Sequence, residues 1–528
     1  MTSTELISSA YRSARGYAGR CLRIDTRSLA LFRISLGLLI VADMLLRARN
    51  FGFYYTDDGV VPAELAARHT ADHAISVYFL TSDPYAIAAL FVLQALIGLS
   101  LAIGYRTRAA TVCSFLLVVS LDHHNPFVLS YADTLFRLLL FWAIFLPLGE
   151  RWSIDAVHSE SLSRRNVGGI AAALALFQMV VMYVVNGVHK LESSLWRSGE
   201  AAPLVFGIDE MTFLLGNVVR QSPLVLELGG LLWLYMLLGA WLLVLLPGRP
   251  RAAFLSLFIG GHLSFALTVR IGAFAYVALV GLLLFIPAAV WDDVETIRRR
   301  FVLGRVSDRF VSGGRRLAVA LPDVRVVPQR YSNVKTATHT VALTAVVVAL
   351  GIVVILFALN FGTIVTDDGY DQRALNQHVS EHTAGSYVHA TAESVGIVQP
   401  EWSVFAPHPR TTDRYYVFGA RTSEGEQIDV FNDRSFTWDR PYEGELQRQH
   451  DTYRQRFFMN SVRRAGQNDE LPANFAEHIC QQYRERGIEL QHISMFEVTE
   501  RITAETITAP EDRDTERTHL HRHRCSGS

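Results

Sequence analysis

The feature that most limits what this chain can become is a series of long apolar runs, which fills about its first two thirds and stops near Gly362. A helix needs about 20 mostly apolar residues to cross the hydrocarbon core of a bilayer. Runs of that kind lie at Leu29–Leu46, Tyr85–Gly104, Ala109–Leu121, Tyr131–Leu148, Gly168–His189, Leu224–Leu246, Ala252–Thr268, Gly272–Ala289 and Thr340–Phe361, so nine spans are expected. The third is short, and the seventh and eighth form a tight hairpin broken at Arg270.

Loop charge orients such a bundle, because Lys and Arg concentrate on the cytoplasmic side. With the N-terminus inside, the inner connections carry Arg106 and Arg108; Arg151, Arg164 and Arg165; and Arg249 and Arg251. The last inner connection, Asp293–Lys335, holds ten basic residues against four acids. The outer connections Tyr54–Pro84 and Leu191–Pro223 are longer and mixed or acidic. The expected fold is therefore a polytopic α-helical membrane bundle of about nine spans, followed by a small α+β extracytoplasmic domain. A multi-pass protein of the plasma membrane is implied, with the lipid bilayer as its first partner.

The expected division is 1–28 as a basic interfacial segment, 29–290 as the membrane domain and 291–339 as a basic cytoplasmic loop. Residues 340–361 form the last span, 362–510 the outer domain and 511–528 a disordered tail. The first segment carries Arg12, Arg15, Arg20, Arg23 and Arg27 without an apolar core, unlike a cleavable signal peptide. A net charge of −1 gives no sign of a nucleic-acid partner. In the outer domain, Arg414–Ala420 and Gln427–Phe431 read as strands joined through Ser423-Glu424-Gly425. Helical patterns follow over 443–464 and 472–486, then a strand over 488–498. His519, His521, His523 and Cys525 alternate in the polar tail, a pattern that suits either a metal site or a solvated end. The four cysteines show no CxxC pair, and only Cys480 and Cys525 fall in the outer domain, so one disulfide there is open. No metal is expected.

Ionisable groups inside spans are costly and mark functional sites by default. Asp122, His123, His124 and Asn125 close the third span; Asp133 and Arg137 open the fourth. Tyr183, Asn186 and Lys190 share one helical face near the outer end of the fifth. His262 lies near the middle of the seventh. Polar groups from four helices thus converge on the outer half of the bundle. Each also has a purely structural reading. Lys190 can snorkel to the interface, Asp133 and Arg137 can form an i,i+4 ion pair, His123 and His124 can cap a helix, and His262 can bond a neighbouring helix. No phosphate loop, zinc motif or nucleophile elbow occurs.

The run Tyr183-Val-Val-Asn-Gly-Val-His-Lys-Leu-Glu, with Trp196 and Gly199 beyond, resembles a span of the vitamin K-dependent gamma-carboxylases. Gly261-His-Leu-Ser-Phe-Ala-Leu-Thr-Val-Arg-Ile-Gly-Ala-Phe resembles their histidine span. Asp133 through Gly149, and Trp402-Ser-Val-Phe-Ala-Pro-His-Pro, resemble the prokaryotic proteins that carry the horizontally transferred transmembrane (HTTM) domain. The likeness covers about residues 25–290, with weaker support to about 435. It implies an enzyme that oxidises a reduced quinone, of menaquinone or vitamin K type, to its epoxide and carboxylates glutamates of a secreted protein or peptide. In that reading Lys190 and His262 are catalytic, and His123, His124, Asn125, Tyr183 and Asn186 bind substrate or quinone. A neutral lysine would take the hydroquinone proton, and His262 would bond a quinone oxygen or oxyanion. The order of His123, His124 and Asn125 differs from the family's Asn/His pair, leaving open which residue corresponds. His189 stands where animal members have a second lysine, and the outer domain is much smaller. The rival reading is a membrane factor that works by binding, in maturation, export or immunity of secreted peptides.

Overall fold

The computed structural model describes residues 3–71, 74–159, 163–300, 313, 316, 318–322, 332–366, 383–466 and 469–525. Helix α1 (Ser3–Cys21) leads into α2 (Thr26–Ala48), which starts where the Asp25 carboxylate accepts from the Arg27 backbone N–H. Helix α3 (Pro84–Ile103) is opened by Asp83 and a first-turn proline, and stopped by Gly104 at φ +72°. It crosses α2 closely at Gly37 and Gly98: a Cβ at Gly37 would lie 2.4 Å from the Gly98 carbonyl oxygen.

Next come α4 (Thr107–His124), α5 (Tyr131–Phe145) and α6 (Ile170–Glu192). Then follow α7 (Pro223–Leu238), α8 (Gly248–Thr268), α9 (Phe274–Leu282), α10 (Ala288–Arg300) and α11 (Ser332–Thr366). Among the described residues, five stretches are long and apolar enough to cross a membrane: α2, α3, α6, Pro223–Leu245 and α8. A sixth arises if Phe274–Phe285 and Ala288–Arg300, which meet at 94°, count as one. The chain is thus a helical membrane protein, but length and composition alone do not reach nine spans. One reason lies in α4 and α5. Helix α5 has 15 residues, and the end of α4 is built from buried Asp122, His123 and His124 rather than apolar side chains facing lipid. About half of the basic loop expected over 291–339 lies outside the described residues, as do 367–382.

The second part is a five-stranded antiparallel sheet in the order β5-β4-β3-β6-β7, after a small pairing of β1 (Ile24–Asp25) with β2 (Asn166–Val167) in the first part. Its strands are β3 (Thr412–Thr422), β4 (Gln427–Asp429), β5 (Arg434–Ser435), β6 (Leu490–Arg501) and β7 (Thr515–Arg524). The β3–β4 hairpin turns through Gly425 at φ +92°, which only glycine adopts freely. Helices α12 (Tyr453–Arg464) and α13 (Glu470–Glu485) cover one face, where Phe418, Phe458 and Phe475 meet. Tyr415, Val417, Leu446 and Val498 fill the other. The helix expected from 443 begins only at Tyr453, because two 3₁₀ turns, Pro441–Gly444 and Leu446–Gln449, take the preceding residues.

The tail expected to be disordered over 511–528 is instead largely built in. Residues 515–524 are the edge strand β7, Leu520 is buried, and Cys525 forms a disulfide with Cys480 of α13. Backbone pairing with β6 and a covalent link replace the apolar content that the sequence lacks. Residues 526–528 lie outside the described set.

The two parts share one continuous apolar core, running from Leu36 of α2 to Phe475 of α13. Ionic contacts join them as well. Arg454 of α12 reaches Asp43 of α2 at 2.6 Å and Asp133 of α5 at 2.9 Å. This corrects the expected Asp133–Arg137 pair. Arg137 instead faces Asp122 at 3.3 Å, while Asp133 caps its own helix through Ser130 and takes Arg454 as partner. Arg270, at the hairpin tip, donates to the carbonyls of Gln447 (2.5 Å) and His450 (3.1 Å).

Candidate functional site

Helix α6 sets the frame. Positions 183, 186 and 190 fall three and four residues apart, so one face carries Tyr183, Asn186 and Lys190, all buried. Each finds a partner on a different element. The Tyr183 hydroxyl lies 2.8 Å from His262 Nε2 on α8. Asn186 Nδ2 donates to the carbonyls of Trp402 (2.7 Å) and Val404 (3.1 Å). Lys190 Nζ donates to the carbonyls of Val404 (2.9 Å) and Phe405 (3.2 Å) and sits 3.6 Å from the centroid of the Trp196 ring. Trp196 Nε1 also donates to the Phe405 carbonyl, at 2.8 Å. Lys190 is only 2% exposed, so it does not snorkel to the surface.

The acceptors come from backbone. Trp402 and Phe405 both sit at positive φ, 49° and 52°. Non-glycine residues seldom hold that conformation, and the surrounding structure has to enforce it. Here it lies beside the turn of the 402–405 carbonyls toward α6. Trp402 is itself anchored through Nε1 to Gln399 at 3.0 Å, and Gln399 is bonded to Gln178 of α6 at 2.6 Å.

These groups line one end of a cavity of about 490 Å³. The rest of its wall is apolar, with Trp233, Met236, Phe265 and Phe274 among the lining residues. Val225 and Leu232 of α7 and Leu257 of α8 also line it, and they are 59%, 54% and 45% exposed. The cavity therefore opens between α7 and α8 onto the surface that carries exposed Leu228, Leu263 and Leu267. Gly261 lets Trp233 into this wall, since a Cβ there would stand 2.6 Å from the indole. His262 is 1% exposed, and its Nδ1 has no hydrogen-bond partner among the described residues.

His123, His124 and Asn125 do not join this group, and none of them lines the cavity. A ring nitrogen of His123 lies 3.2 Å from the Ile75 carbonyl. The His124 ring is held among Tyr55, Tyr78 and Phe79. Asn125 donates to the Tyr54 carbonyl at 3.0 Å and accepts from the Phe127 N–H at 3.1 Å. All three fasten the end of α4 to the 51–80 connection.

Sequence reasoning missed a second buried polar cluster, outside the spans. Asp209 and Glu210, in the loop before α7, meet Asp413 of β3 and Glu500 of β6 among Arg410, Arg440 and Arg513. Arg220 also pairs with Asp209. Burial alone would push the Glu210 carboxyl up, but Arg410, a hydrogen bond from His450 and Arg456 hold it well below the usual carboxylate range. No local pattern announces such a cluster, because its two loop carboxylates lie about 200–300 positions from their partners in the second part of the chain.

Comparison with known proteins adds one match. The family described as HTTM domain matches residues 22–291, just over half of the chain. No curated protein and no solved structure matches.

Proposed function

Because the chain belongs to the HTTM domain family, which includes vitamin K-dependent carboxylase, we propose that it binds a reduced isoprenoid quinone drawn from the lipid and oxidises it to the epoxide, coupled to carboxylation of glutamates on a secreted protein or peptide. In this reading the chain spans the plasma membrane nine times, with a cytoplasmic N-terminus and the sheet domain outside.

The observation that carries the proposal is the cavity. Its volume falls in the range of small-molecule sites, roughly 300–1,000 Å³, its wall is mostly apolar, and it opens between α7 and α8 toward lipid. A hydrophobic tail suits that opening. A polar head suits the other end, where Tyr183, Asn186, Lys190 and His262 converge. The Nδ1 of His262, without a partner among the described residues, is a buried polar atom that a quinone oxygen would satisfy.

A bound reduced quinone supplies, on reaction with oxygen, a base strong enough to take the γ-hydrogen of a glutamate side chain. The chain's own residues prepare the site. Lys190 Nζ, as a neutral amine, receives a proton, while the carbonyls of Val404 and Phe405 fix where that nitrogen stands. Tyr183 holds the His262 ring through Nε2, which leaves Nδ1 for the ligand. The 402–405 segment and Trp196 close the outer end against water.

A second reading has its own observation. Lys190 is already bonded to two carbonyls and an indole face, so it is also a clamp between α6 and the 402–405 segment. That favours a binding factor for secreted peptides in which the lysine does no chemistry.

The test is quinone turnover. Purified protein in lipid receives reduced menaquinone or a short-chain vitamin K analogue with oxygen, and epoxide is measured by mass spectrometry for wild type and Lys190→Ala. Epoxide that vanishes with the lysine supports the enzyme. Its absence from well-folded protein, across several quinones, leaves the binding factor.

A further inference from the structure

The corner where α13 meets the end of β7 brings together four side chains that zinc favours. Glu477 and Cys480 lie three residues apart on one face of α13. His523, at the end of β7, and Cys525, two residues later, face them. His523 Nε2 is 2.8 Å from Glu477 Oε2. One ligand atom each from Glu477, Cys480 and His523 lie within 4.8 Å of one another, and Cys525 is bonded to Cys480. Ligands around tetrahedral zinc stand about 3.3–3.8 Å apart, from bond lengths of about 2.0–2.3 Å. The atoms are therefore near coordination distance already.

The sulfurs are what prevent it. A disulfide offers no thiolate, and the thiolate is the form that binds metal. We propose that reduction of the Cys480–Cys525 disulfide converts this corner of the sheet domain into a zinc site, with the two thiolates, one His523 ring nitrogen and one Glu477 carboxylate oxygen as ligands. The two cysteine Cα atoms are 5.8 Å apart on separate elements, so the sulfurs separate by side-chain rotation while both backbones stay in place. The reductant is a dithiol: it gives up two electrons and two protons and becomes a disulfide, and the protein gains two thiols. Zinc then binds and releases both thiol protons, so two negative sulfurs meet a doubly charged cation.

The arrangement has a mechanical consequence. Cys525 follows β7, the edge strand, and the disulfide ties the end of that strand to α13. Metal would keep the same two elements joined when the covalent link is broken. The site thus exchanges one cross-link for another according to redox state.

The test uses the full chain in detergent with Cys113→Ser, because Cys113 is an exposed free thiol. The protein is reduced with a phosphine, desalted and titrated with Co²⁺, whose thiolate charge-transfer absorption reports sulfur coordination. One equivalent is expected to bind after reduction and none before, with displacement by Zn²⁺. His523→Ala should weaken binding about tenfold or more, and the Cys480→Ser/Cys525→Ser variant should lose the band. Reduced protein that gives no thiolate band overturns the proposal. So does a band that survives the double serine variant, or one that His523→Ala leaves unchanged. Size-exclusion profiles of the reduced protein are compared with and without Zn²⁺. Loss of the folded peak that Zn²⁺ does not restore also overturns it.

Discussion

Lys190 Nζ and the Val404 carbonyl oxygen, separated by 214 positions in the chain, lie 2.9 Å apart inside a buried pocket. The bond ties a membrane helix to the segment that enters the sheet domain. Removing the side chain takes one of two donors from the Val404 carbonyl, which keeps Asn186, and one of two from the Phe405 carbonyl, which keeps Trp196, so the loss is about 0.5–1.5 kcal/mol for each bond. Lys190→Ala is therefore expected to lower the melting temperature. Lys190→Met, which keeps most of the apolar stem, should lower it less. If Lys190 takes a proton, both variants should also lose about 10²-fold or more of quinone turnover. A variant that melts early yet turns over normally would mark the lysine as a clamp alone.

The contact between Tyr183 and His262 supports a second prediction. Tyr183→Phe removes the only hydroxyl bonded to His262 Nε2 among the described residues, leaving both ring nitrogens unpaired. The expected cost is about 1–3 kcal/mol. His262→Phe removes the same bond from the other side, so the two effects should not add. A double-mutant cycle on thermal stability should return a coupling of about 0.5–3 kcal/mol. Additive losses would show that the 2.8 Å contact carries no energy.

Part of this site was legible in the sequence. Helical spacing alone puts Tyr183, Asn186 and Lys190 on one face, and a mid-span histidine demands a partner, which Tyr183 supplies. The partners of Lys190 were not legible, because backbone carbonyls leave no mark in residue identity. The end of α4 shows a related limit. His123, His124 and Asn125 look like ligands by type, but their contacts with the Ile75 and Tyr54 carbonyls and with the rings around His124 leave no mark in the sequence. Strand β7 was hidden by composition, since Leu520 is the only apolar residue in it and pairing with β6 gives it order. Arg454 could not be matched to Asp43 and Asp133, because ion pairs across about 320–410 positions follow no periodicity.

That same Arg454 gives the third prediction. It is buried, and it neutralises two carboxylates of the membrane bundle from within the sheet domain. Arg47 pairs with the same two carboxylates, at 2.7 Å to Asp43 and 3.4 Å to Asp133, so losing Arg454 leaves each with one arginine partner and costs less than the roughly 3–5 kcal/mol of a buried charge left alone. Arg454→Ala should therefore loosen the docking of α12 on the bundle. Hydrogen exchange would show this as faster exchange around Phe127 and Val128, whose carbonyls accept from Ser461 and Arg454. Unchanged exchange there would mean that the apolar core holds the two parts together unaided.

Glu210 yields a prediction with a definite sign. Its carboxyl is held well below the ordinary value of 4.5 in the fold, because Arg410, His450 and Arg456 outweigh the penalty of burial. A group whose folded pKa is depressed adds stability above its unfolded pKa and loses it as pH falls toward the folded one. Wild type should therefore exceed Glu210→Gln in melting temperature by a constant margin above about pH 7, where Asp413 of the same cluster, pushed up to about 6 by burial, Asp209 and Glu210, is ionised as well. The margin should shrink as pH drops below 4.5, where the unfolded glutamate takes up a proton and the folded one does not. At neutral pH the loss in Glu210→Gln should be about 3–5 kcal/mol, since Arg410 then keeps a buried charge with one partner fewer. A margin that grows on acidification would reverse the sign and place the Glu210 carboxyl above its ordinary range instead.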